Sequence, residues 1–268
     1  MHMELPSAPT TLFGREEELT QIARHLDDPE HRLVTLVGPG GIGKTRLGLE
    51  AAQRYGDRTK DGAVFVDLQA VDVPDLVMQA LANSLEFSVR SQETAVEQLA
   101  GFLADKETLI YFDNFEQVVD AASDVGQLLS MSPGTTMLVT SRSPLQLTQE
   151  WLLHVDGLPV PLPNRPRSSR DNASTMLFIE RALKVRPELP FEREMPAIER
   201  ICRLVDGMPL AIEIAASWTR VLECSEIADE IEKSRDFLQS GMRDVPERHR
   251  SIQHIFEQSM QMLKPRER

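Results

Sequence analysis

The residues with the plainest chemistry are Gly38-Pro-Gly-Gly-Ile-Gly43-Lys44-Thr45, which fit G-x-x-x-x-G-K-[ST] in full. Glycines permit positive φ and let backbone N–H groups crowd around phosphate oxygens. Lys44 would set an ammonium between the β- and γ-phosphates of a nucleotide, and the Thr45 hydroxyl would ligate Mg²⁺. A helix beginning near Thr45 turns its positive end toward the same phosphates. The candidate nucleotide-binding residues here are Gly38, Gly40, Gly41, Ile42, Gly43, Lys44, Thr45 and the adjoining Arg46. Such chemistry also needs a carboxylate for the metal, placed after a second buried strand. Asp113, at the end of Leu109-Ile-Tyr-Phe-Asp113, meets that need, with Asp67 as a weaker rival. An Arg at the crevice edge, Arg142 in Thr140-Ser141-Arg142, is placed to sense a γ-phosphate. Each feature has a plainer reading, as a glycine-rich turn, a turn-forming Asp before Asn114 and a surface Arg. Their occurrence together favours the functional one.

Those residues need elements to hold them. Leu33–Val37, Ala63–Val66, Thr108–Phe112 and Thr136–Thr140 are short apolar runs rich in β-branched residues and read as buried strands. Trp151–Val155 is a weaker fifth candidate. Helical patterns lie between them, near 45–55, 75–86, 93–105 and 116–130. Strands alternating with helices imply a parallel sheet covered on both faces. Four prolines, at 159, 161, 163 and 166, then break regular structure. Beyond them, Ala173–Arg186, Met195–Val205, Pro209–Val221 and Ser225–Leu238 read as helices with no strand between. Ile198, Ile201, Cys202 and Val205 share one helical face, and Ala211, Ile214, Ala215 and Trp218 repeat the pattern. The expected organisation is an α/β domain over 1–165, a small all-α helical domain over 166–240, and the start of a third domain over 241–268.

The chain has 268 residues, a net charge of −13 and 41% hydrophobic residues, within the range of a folded globular protein. Residues 1–150 carry 11 Lys+Arg against 23 Asp+Glu, so nearly all the acidity lies there. A surface of that sign repels nucleic-acid phosphates, so direct nucleic-acid binding is not expected. No run of about 18 apolar residues predicts a membrane span, and the N-terminus lacks a signal-peptide core, so the expected location is cytoplasmic. Cys202 and Cys224 are too few for a disulfide framework, and His249 and His254, five apart, face different ways on a helix.

The order Phe13-Gly-Arg-Glu16, the glycine loop, Phe112-Asp-Asn-Phe-Glu116, Val139-Thr-Ser-Arg142 and Gly207-Met-Pro-Leu210 resembles the nucleotide-binding, NB-ARC-like module of the signal-transduction ATPases with numerous domains. The wording of the FDNFE and DGMPLAIEIAA stretches is nearest to bacterial regulators. The resemblance implies a P-loop NTPase domain with a five-stranded parallel sheet in the order 5-1-4-3-2, followed by a helical domain and a winged-helix domain. Sensor repeats and an effector would complete the full-length protein. It implies ATP/ADP and Mg²⁺ as ligands, Arg15 on the adenine side, Lys44 and Thr45 at phosphate and metal, Asp113 on Mg²⁺, Arg142 as a γ-phosphate sensor and Pro209 packed on the adenine. The nucleotide would then link the two domains.

Two departures matter. Asn114 stands where many members carry a second acidic residue as candidate base, and Asn accepts no proton at neutral pH. Glu116 is the nearest substitute, in an expected helix that could turn it away. Segment 247–263 resembles only the first helix of a winged-helix domain, so the chain reads as cut within it, and Met1-His2-Met3 reads as a cloning remnant. The function expected is a switch that hydrolyses ATP slowly, closed with ADP and open to homo-oligomeric assembly with ATP. Its rivals are a turnover enzyme, such as a kinase or motor ATPase, and a nucleotide-stabilised scaffold that never hydrolyses.

Overall fold

The computed structural model describes residues 5–6, 11–90, 93–162 and 172–233. The expected boundary at 165 and the third segment over 241–268 lie outside the described residues. Among the described residues the chain divides into two compact units: residues 16–38, 44–90 and 93–155 in one, residues 12–15, 39–43, 156–162 and 172–233 in the other.

In the first unit, α1 (Glu16–Leu26) precedes β1 (Leu33–Val37), α2 (Lys44–Gly56), β2 (Ala63–Asp67), α3 (Val77–Ser84) and α4 (Ala95–Leu103). β3 (Thr108–Asp113), α5 (Ala122–Met131), β4 (Thr135–Ser141) and β5 (Glu150–His154) complete it. The strands form one sheet in the order β2-β3-β4-β1-β5, parallel throughout, which is the expected order. β1 and β3 are buried at every residue because helices cover both faces. Side chains alternate along each strand. Val64, Val66, Ile110, Phe112, Met137 and Val139 therefore join the core that α3, α4 and α5 close. The intervening residues of β3, Tyr111 and Asp113, face α2. β5 pairs on one side only and leaves Trp151 and Leu152 exposed, which explains its weak apolar signal.

The helix expected over 116–130 differs. Asn114 takes a left-handed backbone at φ 63°, two short 3₁₀ turns follow at Phe115–Gln117 and Val119–Ala121, and α5 begins only at Ala122. Asn tolerates that conformation better than most residues.

The second unit contains α6 (Ala173–Val185), α7 (Phe191–Leu204), α8 (Pro209–Ser217) and α9 (Cys224–Lys233). Asn172 caps α6 by accepting from the Ser174 N–H at 3.1 Å. Pro209 occupies the first turn of α8, where its missing N–H costs nothing. Phe178, Ile198, Ile201, Cys202, Ile212, Ala215 and Ile227 form its core. Burial drives the Cys202 thiol up to about 12, so it is inert packing. Trp218 is partly buried against the same core.

Candidate nucleotide-binding site

β1 delivers the chain to the loop, and its neighbours pin the exit. The Gly38 N–H donates to the Ser141 carbonyl at 3.4 Å, and the Val155 N–H donates to the Val37 carbonyl at 2.8 Å. α2 then opens with Lys44 and Thr45 in its first turn. Lys44 is 8% exposed, and its Nζ donates to the Gly38 carbonyl at 2.7 Å. Burial lowers the ammonium to about 8, Glu116 and Asp113 hold it up, and Arg142 pushes it down. Arg46, further along α2, pairs with Glu50 at 3.3 Å.

Asp113 sits at the C-terminal end of β3 and is 2% exposed. Its Oδ1 accepts from the Tyr111 phenol at 2.9 Å and from the Thr140 hydroxyl at 2.5 Å. Its Oδ2 accepts from the Asn114 amide at 2.9 Å, and the Thr45 side chain also hydrogen-bonds the carboxyl. Burial raises this carboxyl, while the Thr140, Tyr111 and Thr45 donors oppose the rise. Asp67 lies beside it in the strand register and accepts from the Gln69 N–H at 2.8 Å.

Glu116 turns inward. The 3₁₀ turn directs its carboxylate to Arg142, with Oε1 accepting from Nε at 3.1 Å and both side chains 8% exposed. This corrects the expectation that a helix could point it away. Its Oε2 is buried and accepts no hydrogen bond among the described residues. Arg142 is thus a buried, oriented cation and not a solvated surface residue.

In the second unit, the middle of the loop meets the residues before α1 and at the start of α8. Arg15 is 2% exposed, and its Nη2 donates to the Ile42 carbonyl at 3.0 Å and the Asp156 carbonyl at 2.8 Å. The Leu210 N–H donates to the Gly41 carbonyl at 3.2 Å. Gly41 and Gly43 have φ of +76° and +96°, which a side chain would strain. A Cβ on Gly41 would also stand 2.9 Å from the Leu210 Cβ. Pro209 lies against the loop, with its Cγ 3.8 Å from where a Gly43 Cβ would be. Arg15→Met should cost about 1–3 kcal/mol, because the buried Ile42 carbonyl and the part-buried Asp156 carbonyl lose a charged donor. Urea unfolding followed by circular dichroism measures it, and an unchanged midpoint would show the loop needs no such brace.

Sequence reasoning missed three contributors. Thr140 lies inside the VTSR motif, and Leu210 inside GMPL. Tyr111 had a signal too, since it carries a hydroxyl in the otherwise apolar run Leu109–Phe112 and stands two residues before Asp113, on the same face.

The donors fit the ligands they would hold. A threonine hydroxyl and a carboxylate in contact are hard oxygen donors suited to Mg²⁺. A glycine loop with positive φ, a buried ammonium and a helix N-terminus suit phosphate.

This sheet order and loop define an α/β fold of the P-loop NTPase type. Residues 11–140 match the family model described as AAA ATPase domain. A Mycobacterium tuberculosis protein named as a putative HTH-type transcriptional regulator is 32% identical over 236 residues, covering 87% of this chain and 25% of the relative. The chain thus spans about a quarter of that relative's length. Among solved structures, the Walker-type ATPase of Pyrococcus abyssi superposes with a TM-score of 0.52 at 14% identity, over 83% of this chain and 72% of that one. A signal-transduction ATPase with a tetratricopeptide repeat sensor, from Pyrococcus horikoshii, gives 0.50 at 17% identity, over 98% of this chain and 34% of that one. At such identities these structures speak to fold alone.

Proposed function

We propose that this chain is the nucleotide-binding switch module of a larger regulator, holding ADP or ATP with Mg²⁺ at the 38–45 loop and hydrolysing ATP slowly. The observation that carries this reading is that Thr45, in the first turn after the loop, and Asp113, at the C-terminal end of β3, lie together, with the Tyr111 phenol oxygen 3.2 Å from the Thr45 carbonyl oxygen and 2.9 Å from Asp113 Oδ1. Those two residues lie far apart in sequence and are the pair a P-loop site uses for its metal. The Lys44 ammonium supplies the phosphate charge partner, and Arg142 is oriented by Glu116 for a terminal phosphate. Mg²⁺, when bound, neutralises phosphate charge and draws phosphate and protein oxygens together.

Slow hydrolysis follows from what stands beside Asp113. Asn114 spends its amide on the Asp113 carboxylate and supplies no base. Glu116 Oε2 is the acceptor left over for a water, but its partner oxygen is tied to Arg142. A switch needs such slowness, because fast turnover would erase the ATP state, and a ligand shifts an equilibrium only through its differential affinity for two states. The relatives named as transcriptional regulators support a role in regulation, with sensing and output in domains beyond this chain.

The test is to denature the purified protein and identify released nucleotide by chromatography, then to follow phosphate release from added ATP. Stoichiometric ADP, or slow turnover, supports the switch. ATP bound and recovered intact after hours would favour a scaffold that never hydrolyses. Neither bound nucleotide nor measurable affinity for ADP or ATP would overturn the reading.

Lys44 adds a pH dependence. Its ammonium titrates at about 8, and a phosphate beside it would raise that value. Affinity is therefore full below pH 8 and falls above it, by at most about tenfold per pH unit, with proton uptake on binding. Calorimetry on either side of that value, in buffers of different ionisation enthalpy, reads both; equal affinities without proton uptake would contradict it.

A further inference from the structure

We infer that Tyr111 is a positioning residue for the Asp113 carboxylate, seated in a socket that Gly48 leaves open. The inference rests on the reading of Asp113 and Thr45 as the Mg²⁺ ligands. Tyr111 and Asp113 are two apart on β3 and face α2 together. The phenol is fully buried. Its oxygen lies 2.9 Å from Asp113 Oδ1 and 3.2 Å from the Thr45 carbonyl oxygen. It has one proton to give, and the nearer, charged oxygen is the better acceptor. Tyr111 thereby touches the chain at both candidate metal ligands.

The socket explains an otherwise unfavourable residue. Gly48 lies inside α2, where glycine is poorer than alanine. A Cβ there would stand 2.5 Å from the Tyr111 hydroxyl oxygen, 2.6 Å from its Cζ and 2.9 Å from its Cε2. Such approaches do not occur between real atoms, so the tyrosine is admitted only because position 48 has no side chain. Filling that space would not require a hydroxyl, since leucine or valine on β3 beneath an alanine on α2 would pack as well. What the phenol adds is a donor to Oδ1. With Thr140 on the same oxygen and Asn114 on Oδ2, it fixes the plane of the carboxylate. Partners of this kind orient metal-binding carboxylates, and their removal typically costs about 10- to 100-fold in metal affinity.

The experiment compares wild type, Tyr111→Phe and the double variant Gly48→Ala with Tyr111→Leu. Binding of a fluorescent ADP analogue is measured in EDTA and then across a MgCl₂ titration, with thermal unfolding of each protein alongside. Tyr111→Phe should keep its EDTA affinity within about twofold and need about tenfold more Mg²⁺ for the metal-dependent gain. The double variant should recover thermal stability without recovering the Mg²⁺ response. An unchanged Mg²⁺ midpoint in Tyr111→Phe overturns the inference, as do equal losses with and without Mg²⁺, or a double variant with the wild-type response. A wild type that binds no nucleotide in either condition removes the nucleotide reading itself, a result distinct from all of these.

Discussion

Lys44→Ala should weaken binding of ADP and ATP by about 2–5 kcal/mol, or roughly 30- to several-thousand-fold. The lysine is buried beside the loop, so its charge acts on a phosphate with little water between them. Its Nζ donates to the Gly38 carbonyl, a group at the mouth of the loop. The same substitution should disturb folding little, because relieving a buried ammonium offsets part of any packing loss. Titration of a fluorescent nucleotide, with thermal unfolding as control, checks both halves. An unchanged dissociation constant would remove the main claim about this site.

Glu116→Gln should lower ATP turnover by about 10²-fold or more while leaving nucleotide affinity within a fewfold. The geometry isolates the effect. Glutamine keeps an oxygen to accept from Arg142 Nε, so the arginine stays oriented. What disappears is the carboxylate charge, and with it the ability of Oε2 to take a proton from water. Single-turnover phosphate release from bound ATP is the measurement, because it separates chemistry from product release. Turnover at the wild-type rate would exclude Glu116 as the base and leave water positioning to other groups. Loss of affinity equal to the loss of rate would instead show that the Glu116–Arg142 pair serves binding.

Asn114 illustrates how a local departure is tied to its surroundings. Its left-handed backbone begins the turn after β3, its N–H donates to the Thr140 hydroxyl, and its side-chain amide donates to Asp113. An acid at this position would set a second carboxylate against the first, in a buried place where like charges are costly. The amide donates to Asp113 without adding a second charge there.

The parallel sheet and the glycine loop were legible in the residues for simple reasons, whereas the strand order was implied only by the family resemblance. Strands buried on both faces must be apolar throughout, and a phosphate loop needs glycine, lysine and threonine at set spacing. β5 was faint because none of its residues is fully buried, unlike most of those of the other edge strand, β2. The inward turn of Glu116 could not be read, since a 3.6-residue pattern over 116–130 hides two 3₁₀ turns and a left-handed residue. The roles of Tyr111, Thr140 and Leu210 likewise depend on packing between segments distant in the chain. Hydrogen bonds such as Tyr111 to Asp113, or Leu210 to Gly41, are settled by how α2 packs on β3 and how α8 meets the loop. Residue types and spacing specify which groups are available for chemistry. Which of them meet, and which way each carboxylate faces, depends on directions that only the folded backbone sets, because a hydrogen bond is lost over a fraction of an ångström and a few tens of degrees.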